Sequence, residues 1–322
     1  MAYGTGTDHL KNAMSLSINH LLGLQGVPEK DITLILDTAD NFYEVLQREI
    51  KQVPTLKGIT VVNLFYENST RTRISFELAE KRLSASPLNF STSTSSVSKG
   101  ESLRDTMRNI EAMKIDMVVV RHGAAGVPAF LTRCTKATII NAGDGLHEHP
   151  TQALLDMMTI RQKFGRLKGL KVAIIGDILH SRVARSNAWG MTTMGMKVVL
   201  CGPPTLLPQH PQGIGVEATD DIEKALDKAN VIMMLRLQME RQNSGLFPSI
   251  REYRERYGLD LEKLSKLPDD VIIMHPGPIN RGIELASNVA DGEHSVILDQ
   301  VTNGVAVRMS VLYLLGGGGD NV

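Results

Sequence analysis

The sequence predicts an α/β protein with two doubly wound domains, each built around a parallel sheet. Short apolar, β-branched runs alternate with segments of helical periodicity, which is the pattern of parallel strands joined by helices. The alternation occurs twice, and Pro150, at the first position of a predicted helix, separates the two series. A length of 322 residues suits two domains of common size. We therefore expect two α/β halves joined by the Pro150 helix.

Helices and strands alternate in the first half, and each has its own signal. Apolar residues at helical spacing predict an amphipathic helix over residues 31–50, and an apolar run predicts a buried strand over residues 59–65. Ser102 and Asp105 form a capping box at a helix start. The remaining elements expected here are a helix from Ser69 bearing Ile74, Phe76, Leu78, Ala79 and Leu83, a helix after Ser102 bearing Leu103, Met107, Ile110 and Met113, and strands over residues 117–120 and 138–140.

The second half repeats the alternation. The helix that begins at Pro150 ends at Gly165, a residue typical of helix ends. Residues 239–248 are polar and contain a glycine and a proline, which indicates a loop suited to act as a flap. The other expected elements are strands over residues 172–175, 198–200, 231–235 and 271–274, and helices over residues 181–194, 220–229 and 305–315.

The composition bounds the partners and the compartment of the chain. Lys plus Arg and Asp plus Glu both number 35, so no net field attracts nucleic acid or an anionic membrane. Cys134 and Cys201 form no C-x-x-C pattern, which fits a reducing compartment and argues against a thiolate metal site. No apolar run reaches the ~18 residues of a membrane span, and no signal peptide is evident. We expect a cytoplasmic protein whose anion sites are local.

The predicted helix start near Ser69 has an unusual charge. Arg71 and Arg73 lie inside the first turn, where the positive end of the helix dipole disfavours cations. Ser69 is a good N-cap, because its hydroxyl can accept a hydrogen bond from a first-turn amide. Free amides, the hydroxyls of Ser69, Thr70 and Thr72, and two guanidinium groups suit a dianionic phosphate. The alternative is a solvated turn with two incidental arginines, and we favour a phosphate cradle.

The run Ser69-Thr70-Arg71-Thr72-Arg73 resembles the carbamoyl-phosphate signature of the aspartate and ornithine carbamoyltransferases, and the resemblance continues through most of the chain. Later motifs resemble the aspartate branch. The resemblance implies transfer of the carbamoyl group from carbamoyl phosphate to L-aspartate, a step of pyrimidine biosynthesis, without a metal or an organic cofactor. It also implies a carbamoyl-phosphate-binding domain over residues 1–149, completed by a C-terminal helix over residues 303–322 that returns to it, and an aspartate-binding domain over residues 150–302.

The polar residues of the first half follow predicted strands at their carboxyl ends, where parallel sheets bind ligands. The resemblance implies that Thr72, Arg121 and His149 polarise the carbamoyl carbonyl, as an oxyanion hole does, and that Gln152 orients the carbamoyl amine. The catalytic residues it implies are Arg71, Thr72, Arg121 and His149. The carbamoyl-phosphate ligands it implies within one chain are Ser69, Thr70, Arg71, Thr72, Arg121, His149, Gln152, Pro276 and Gly277.

Two cofactor interpretations are disfavoured by the residues themselves. His147 and His149 flank Glu148, but metal sites of such short spacing usually need a third ligand. The strand before Gly176 suggests a dinucleotide site, but the fingerprint needs three glycines and only Gly176 is present. We therefore expect neither a metal nor NAD.

For the second half, the resemblance implies an aspartate site. Arg182 and Arg236 would each hold one carboxylate, with Gln238 beside Arg236, and the planar guanidinium explains arginine rather than lysine. Backbone carbonyls at Pro276 and Gly277 would hold the carbamoyl amine and the attacking amine. The Gly277–Pro278 bond is the candidate cis peptide of the His275-Pro276-Gly277-Pro278 motif. Ornithine enzymes carry a cysteine in this motif, which is absent here.

The resemblance also implies an active site shared between chains. A loop carrying Ser95, or alternatively Ser96, and Lys99 would reach the neighbouring chain's phosphate, and Lys99 its aspartate. The expected assembly is a homotrimer, with regulatory or dihydroorotase chains open as further partners. Two rival functions stand: a transcarbamoylase for another amine, such as ornithine or a modified ornithine, and a catalytically silent scaffold for such chains.

Overall fold

The computed structural model describes residues 15–91, 101–238 and 249–317. The chain divides into two compact units, Met1–Thr151 with Asn303–Val322 as the first, and Gln152–Thr302 as the second. Both divisions fall inside helices, Pro150–Phe164 and Ile297–Leu315. Within the described ranges, no helix combines the length and the apolar character needed to cross a bilayer.

The first unit is an alternation of helices and parallel strands. In chain order its elements are α1 (Glu29–Leu46), β1 (Thr60–Phe65), α2 (Thr70–Arg82), β2 (Ser86–Ser91), α3 (Leu103–Ala112), β3 (Met117–His122), α4 (Val127–Leu131) and β4 (Thr138–Asp144). The strands lie in the order β2-β1-β3-β4, and each neighbouring pair is parallel. In β3, Val118, Val119 and Val120 are all fully buried, as in a strand covered on both faces.

The second unit repeats this plan. Its elements are α5 (Pro150–Phe164), β5 (Lys171–Ile175), α6 (Arg182–Thr193), β6 (Lys197–Cys201), β7 (Glu217–Thr219), α7 (Ile222–Leu226), β8 (Val231–Met234), α8 (Ile250–Tyr257), α9 (Leu261–Leu264), β9 (Ile272–Met274), α10 (Ser287–Ala290) and α11 (Ile297–Leu315), with short 3₁₀ turns at Pro204–Leu206 and Pro211–Ile214. The strands lie in the order β7-β6-β5-β8-β9, and every neighbouring pair is parallel. The predicted α/β class with two parallel sheets is confirmed.

The C-terminal part of α11 packs within the first unit. The hydroxyl of Ser310 donates to the carbonyl oxygen of Ile35 in α1 at 2.7 Å. The guanidinium of Arg308 donates to the hydroxyl of Ser75 in α2 at 2.9 Å. These contacts explain why residues after Thr302 belong to the first unit although they follow the second in sequence.

Several short elements were not predicted from the sequence: β2, β7, α4, α8, α9 and α10. The edge strand β2 contains Pro87 and has few buried side chains, so neither composition nor alternation identifies it. Pro87 is tolerated because an edge strand needs ladder bonds on one side only. Strand β7 has three residues, too few to show a period.

Three apolar residues that lie within the predicted helices are exposed in the structure. Ile50 is 77% exposed because α1 already ends at Leu46, and Met113 is 72% exposed because it caps the end of α3. Ile74 is 54% exposed although it lies in the middle of the predicted helix. Two residues on, Phe76 is fully buried, since residues two apart face opposite sides of a helix. The apolar pattern thus located α2 and did not settle which face is buried.

The buried face of α2 contains a carboxyl group. Glu80 and Asn63 of β1 are both fully buried, and the Asn63 amide Nδ2 donates to Glu80 Oε2 at 2.8 Å. Two further acceptors, Glu80 Oε1 and Asn63 Oδ1, have no hydrogen-bond partner among the described residues. Burial raises the pKa of Glu80 to about 7, against an opposing effect of the Asn63 hydrogen bond. When Glu80 is protonated, Oε1 becomes a hydroxyl that can donate to Asn63 Oδ1, so this pair favours the neutral acid.

Replacing Glu80 by glutamine is therefore expected to stabilise the protein at pH 8.5 and to leave it nearly unchanged at pH 5. The pKa of Glu80 lies above its ordinary value of 4.5, so the folded chain holds the proton more tightly. That contribution is full below pH 4.5 and is lost as the pH rises through about 7. Glutamine keeps a donor and an acceptor at all pH values, and the gain at high pH should be roughly 1–3 kcal/mol. Urea unfolding at both pH values measures it.

The matched control for this prediction is Glu77, which lies one turn earlier on the exposed side of α2. A hydrogen bond from Lys81 holds the pKa of Glu77 below its ordinary value. Glu77→Gln should therefore give no stabilisation at pH 8.5. Equal gains in the two variants would contradict a special protonation of Glu80.

Candidate active site

The predicted ligand residues flank the point in each sheet where the strand order reverses. In the first unit this point lies between β1 and β3; residues 69–73 follow β1, and Arg121 is the second-to-last residue of β3. In the second unit it lies between β5 and β8, with Arg182 after β5 and Arg236 after β8. Crevices outside the carboxyl ends of such strands are where open parallel sheets bind ligands. Each sheet thus presents arginine at its ligand-binding edge.

The start of α2 differs from the other helix starts. Ser69 occupies the N-cap position as predicted, but its side chain accepts no hydrogen bond from the first turn. The predicted hydroxyl cap is therefore wrong. Every other serine or aspartate at an N-cap in the described part of the chain does accept such a bond: Ser102, Ser181, Asp221, Ser249 and Asp260. Because Ser69 does not cap, the first-turn amides of α2 keep their capacity to bind an anion.

The charge of this turn points the same way. Arg71 and Arg73 are exposed, Thr72 between them is buried, and the first turn of α2 contains no acidic residue. Helix starts usually carry acidic side chains, because the amide dipoles make this end positive. Two guanidinium groups at an uncapped start therefore increase its positive potential. A dianionic ligand is the partner that would be most stabilised there.

Arg121 is held at the end of β3 by two neighbours. Its Nη2 donates to Glu67 Oε1 at 2.9 Å, and its Nη1 donates to the carbonyl oxygen of Ala142 in β4 at 3.2 Å. The Arg121 side chain is only 11% exposed. Glu67 lies two residues before Ser69, in the same connection. Glu67 was not among the predicted site residues; the sequence signal for it is an acidic residue directly beside an anion-binding motif.

The loop after β4 is organised by acidic residues. Asp144 accepts hydrogen bonds from the amide of Gly126 at 2.7 Å and from the Asn141 side chain at 2.8 Å. His147 Nδ1 lies 3.2 Å from the same carboxylate. Glu148 accepts from the amide of Leu24 at 2.7 Å. His147 and Glu148 thus have structural roles in this loop. In the described ranges, no group of three His, Cys, Asp or Glu side chains is arranged to hold a metal ion.

His149 and Gln152 lie at the start of α5, as predicted. His149 directly precedes Pro150, the first residue of the helix, and both His149 and Gln152 are buried. Gln152 Nε2 donates to Asp156 Oδ1 at 3.0 Å. The amide of Gln152 is thus oriented by an aspartate one turn further along the helix.

In the second unit, the connection after β5 positions Arg182. Asp177 is fully buried and contacts His180 Nδ1 at 2.8 Å, and Ser181 caps the helix that begins with Arg182. Gln238, two residues after Arg236, donates from Nε2 to the carbonyl oxygen of His180 at 3.2 Å. This bond joins the connection after β8 to the connection after β5. The predicted aspartate ligands Arg182 and Arg236 are therefore next to two connections that this hydrogen bond joins.

The His275-Pro276-Gly277-Pro278 motif follows β9, and the Gly277–Pro278 bond is cis, as predicted. The amide of Gly277 donates to His275 Nδ1 at 2.8 Å, so His275 Nε2 carries the proton that faces Glu284 Oε1 at 3.3 Å. Glu284, which the sequence analysis missed, also accepts from the amide of Asn280 at 2.6 Å. The buried imidazole and carboxylate thus fix the conformation of the motif.

Comparison with known families assigns both units. The family model for the aspartate/ornithine carbamoyltransferase, carbamoyl-P binding domain matches residues 19–162. The model for the Asp/Orn binding domain of the same enzymes matches residues 168–315. The chain belongs to the aspartate/ornithine carbamoyltransferase family.

Curated members of this family extend over nearly the whole chain. The aspartate carbamoyltransferase catalytic subunit of Desulfotalea psychrophila is 58% identical over 305 residues, which are 95% of this chain and 96% of that protein. The subunit of the same name from Cytophaga hutchinsonii is 56% identical over 302 residues, 94% of this chain and 98% of that protein. Similarity at this level places the chain beside carbamoyltransferases named for aspartate.

Solved carbamoyltransferase structures share the fold. Aspartate transcarbamoylase from Trypanosoma cruzi, in complex with N-(phosphonacetyl)-L-aspartic acid, has a TM-score of 0.84 at 29% identity and covers 91% of this chain and 94% of its own. Ornithine carbamoyltransferase from Pyrococcus furiosus has a TM-score of 0.82 at 30% identity, with coverage of 93% and 97%. Such close scores mean that the fold does not separate the two acceptor amines, and the distinction depends on individual residues.

Several predicted carbamoyltransferase features lie outside the described residues. These are the shared-loop residues Ser95, Ser96 and Lys99, and the flap over residues 239–248.

Proposed function

We propose that this chain transfers the carbamoyl group from carbamoyl phosphate to the α-amino group of L-aspartate, giving N-carbamoyl-L-aspartate and phosphate. It is a carbamoyltransferase of pyrimidine biosynthesis and works in the cytoplasm. The observation that carries the proposal is the uncapped start of α2 beside Arg71 and Arg73. The curated relatives at 55–58% identity, which are named for this activity, support the same reaction.

The first unit binds the donor. Ser69, Thr70 and Arg71 hold the phosphate, using the first-turn amides of α2, hydroxyls and a guanidinium. Thr72, Arg121 and His149 are directed at the carbonyl oxygen. The burial of His149 and the fixed guanidinium of Arg121 support this role, because preorganised donors stabilise a developing oxyanion without reorganisation.

The second unit binds the acceptor. Arg182 and Arg236 each hold one carboxylate of aspartate, with Gln238 linking their loops. The backbone carbonyls of Pro276 and Gly277 accept from the carbamoyl amine and the attacking amine. The contacts of His275 with Glu284 and with the amide of Gly277 hold this turn in place, which supports such a role.

The chemical step needs no covalent enzyme intermediate. The amine lone pair of aspartate attacks the carbonyl carbon, and negative charge forms on the oxygen near Thr72, Arg121 and His149. The bond from that carbon to the phosphate oxygen then breaks, and the departing phosphate, held by Arg71, takes the amine proton. Positioning two reactants in this way can lower a bimolecular barrier by roughly 7–11 kcal/mol.

The direct test is a phosphate-release assay with carbamoyl phosphate and either L-aspartate or L-ornithine. Release that depends on aspartate, with N-carbamoyl-aspartate as product, is the expected result. Release only with ornithine would replace this function by the first rival. No release with any amine, from a folded protein, would favour a silent scaffold.

Completion of the site by a neighbouring chain is the second part of the proposal. Lys99 and Ser95 of the adjacent chain contact the phosphate, and Lys99 also the aspartate, in a homotrimer. The resemblance of the loop containing these residues to the family motif supports this arrangement.

Mixing two inactive variants is expected to restore activity if sites are shared. Lys99→Ala and Arg71→Ala chains are each impaired, but a mixed trimer contains sites that combine the intact Arg71 of one chain with the intact Lys99 of its neighbour. Random assembly makes about a quarter of the sites whole. Co-refolding the two variants and measuring carbamoyl transfer checks this. An Arg71→Ala and Arg121→Ala mixture is the control, since both residues serve the same chain's site and no recovery is expected. Absence of recovery in the first mixture would argue against sharing.

A further inference from the structure

Asp156 is a point where three side-chain amides of the second unit converge. It is fully buried on α5, one turn after Gln152. Its Oδ1 accepts from Gln152 Nε2 at 3.0 Å and from Gln300 Nε2 at 2.8 Å, and its Oδ2 accepts from Asn187 Nδ2 at 2.7 Å. The donors belong to three helices, α5, α11 and α6. One carboxylate therefore joins segments that are far apart in sequence.

The chemistry of the carboxylate decides how each amide is turned. An ionised carboxylate accepts hydrogen bonds and cannot donate them, whereas a glutamine amide has one donor end and one acceptor end. Asp156 therefore takes the NH₂ end of Gln152, so that the carbonyl oxygen Oε1 is the end left to meet a ligand. A carbamoyl amine carries two N–H donors and needs an acceptor. The inverted amide would present N–H to N–H.

Through Gln300, Asp156 is also connected to the His275-Pro276-Gly277-Pro278 motif after β9. Gln300 donates to Asp156 with its NH₂ end, so its Oε1 faces the other way and accepts from the amide of His275 at 2.9 Å. His275 in turn accepts from the amide of Gly277. A continuous set of hydrogen bonds thus runs from Gln152 through Asp156 and Gln300 to Gly277. Reversing the side-chain amide of Gln300 would break two of these bonds, and reversing that of Gln152 would break one.

We propose that Asp156 is a positioning residue for carbamoyl transfer. It determines which end of the Gln152 side-chain amide faces the ligand, and through Gln300 it also positions the backbone carbonyls of Pro276 and Gly277. The family resemblance implies that Gln152 and these carbonyls hold the carbamoyl amine, so the inference rests on the proposed function. An apolar residue at position 156, like the neighbouring Leu155 and Met157, would fill this place without burying a charge. A buried carboxylate with three amide donors gives orientation that packing alone does not give.

Asn187 supplies the control for a purely structural role. It binds Asp156 on Oδ2, away from the oxygen that faces Gln152 and Gln300. Asn187→Ala removes a buried contact between α6 and α5 and leaves both Oδ1 bonds in place. It should lower thermal stability and keep kcat/KM for carbamoyl phosphate within about threefold of the original protein.

The test compares Asp156→Leu, Asp156→Asn, Gln152→Ala and the Asp156→Leu/Gln152→Ala double variant. Asp156→Leu should lower kcat/KM for carbamoyl phosphate by about thirtyfold or more, and Gln152→Ala by a similar factor. The double variant should be little worse than either single one, since both remove the same interaction. Asp156→Asn should recover most of the loss, because the introduced amide keeps one oxygen for Gln152 and Gln300. Asn187 Oδ1, which has no partner among the described residues, can turn to accept its N–H.

Multiplied losses in the double variant would overturn the proposal. A loss in Asn187→Ala as large as in Asp156→Leu would do the same, since it would mark a general packing effect. A second readout is independent of activity: the side-chain amide signals of Gln152 in ¹⁵N-labelled protein, assigned with Gln152→Ala, should shift in Asp156→Leu and not in Asn187→Ala. Unshifted signals would reject the orientation itself. An inactive original protein that still shows the shift would reject the proposed reaction and leave the orientation standing.

Discussion

Arg71→Ala is expected to lower kcat/KM for carbamoyl phosphate by about 10²–10³-fold or more, the range found when a single charge-stabilising donor is removed from an active site. Arg71 lies in the first turn of a helix whose N-cap serine does not cap. Loss of its guanidinium removes a charge-assisted contact to a phosphate whose charge increases as it departs. Both kcat and donor affinity should therefore fall, and steady-state kinetics with titration calorimetry for carbamoyl phosphate measure the two separately.

Arg104 provides a closely matched control for Arg71. Each is the second residue of a helix with a serine N-cap, and each is exposed. The difference is that Ser102 accepts a hydrogen bond from the amide of Asp105, so the start of α3 is already satisfied. Arg104→Ala should leave donor affinity unchanged. An Arg71→Ala protein that binds carbamoyl phosphate as tightly as the Arg104→Ala protein would rule out the phosphate cradle at α2.

The central strands could be predicted from sequence because burial on both faces makes them almost entirely apolar. The centres of β3, β5 and β8 contain no polar residue, and the centre of β1 contains only Asn63. Strand β2 could not be found in this way, because an edge strand is only partly buried and Pro87 argues against a strand. The exposed Ile74 illustrates a second limit: an apolar period identifies a helix, while the buried face depends on which row meets the sheet.

Apart from the arginine-rich start of α2, the candidate site residues were predicted through the resemblance of their motifs to a known family, and the residues that hold them could not be predicted. Glu67, Asp156 and Glu284 are acidic residues that hydropathy assigns to the surface. Glu67 and Asp156 instead accept hydrogen bonds from partners distant in sequence, Glu67 from Arg121 and Asp156 from Gln300 at a separation of 144 residues. Such partners meet only after folding, so no local pattern identifies them. A usable signal is an acidic residue within one helical turn of a predicted ligand residue.

Arg236→Gln is the change expected to separate the two acceptor amines. Aspartate presents two carboxylates, and a guanidinium can bind one of them through two parallel hydrogen bonds, whereas ornithine has a cationic side chain that Arg236 would repel. Loss of Arg236 should raise the KM for aspartate by about 10²-fold or more, since one partner of a charged pair is then left uncompensated. The affinity for carbamoyl phosphate should stay unchanged, because its proposed ligands lie mainly in the first unit.

Arg281→Gln is the control for charge alone. Arg281 also belongs to the second unit and lies close to the Pro276–Gly277 turn, but it is exposed and pairs with Asp291 at 2.7 Å and 2.8 Å. Its replacement removes the same charge without removing a ligand, so the KM for aspartate should change little. An increase in KM for aspartate shared by both variants would indicate a general field effect. An Arg236→Gln protein with unchanged acceptor affinity would favour another amine, since a dicarboxylate held by Arg182 alone loses half of its charge complement.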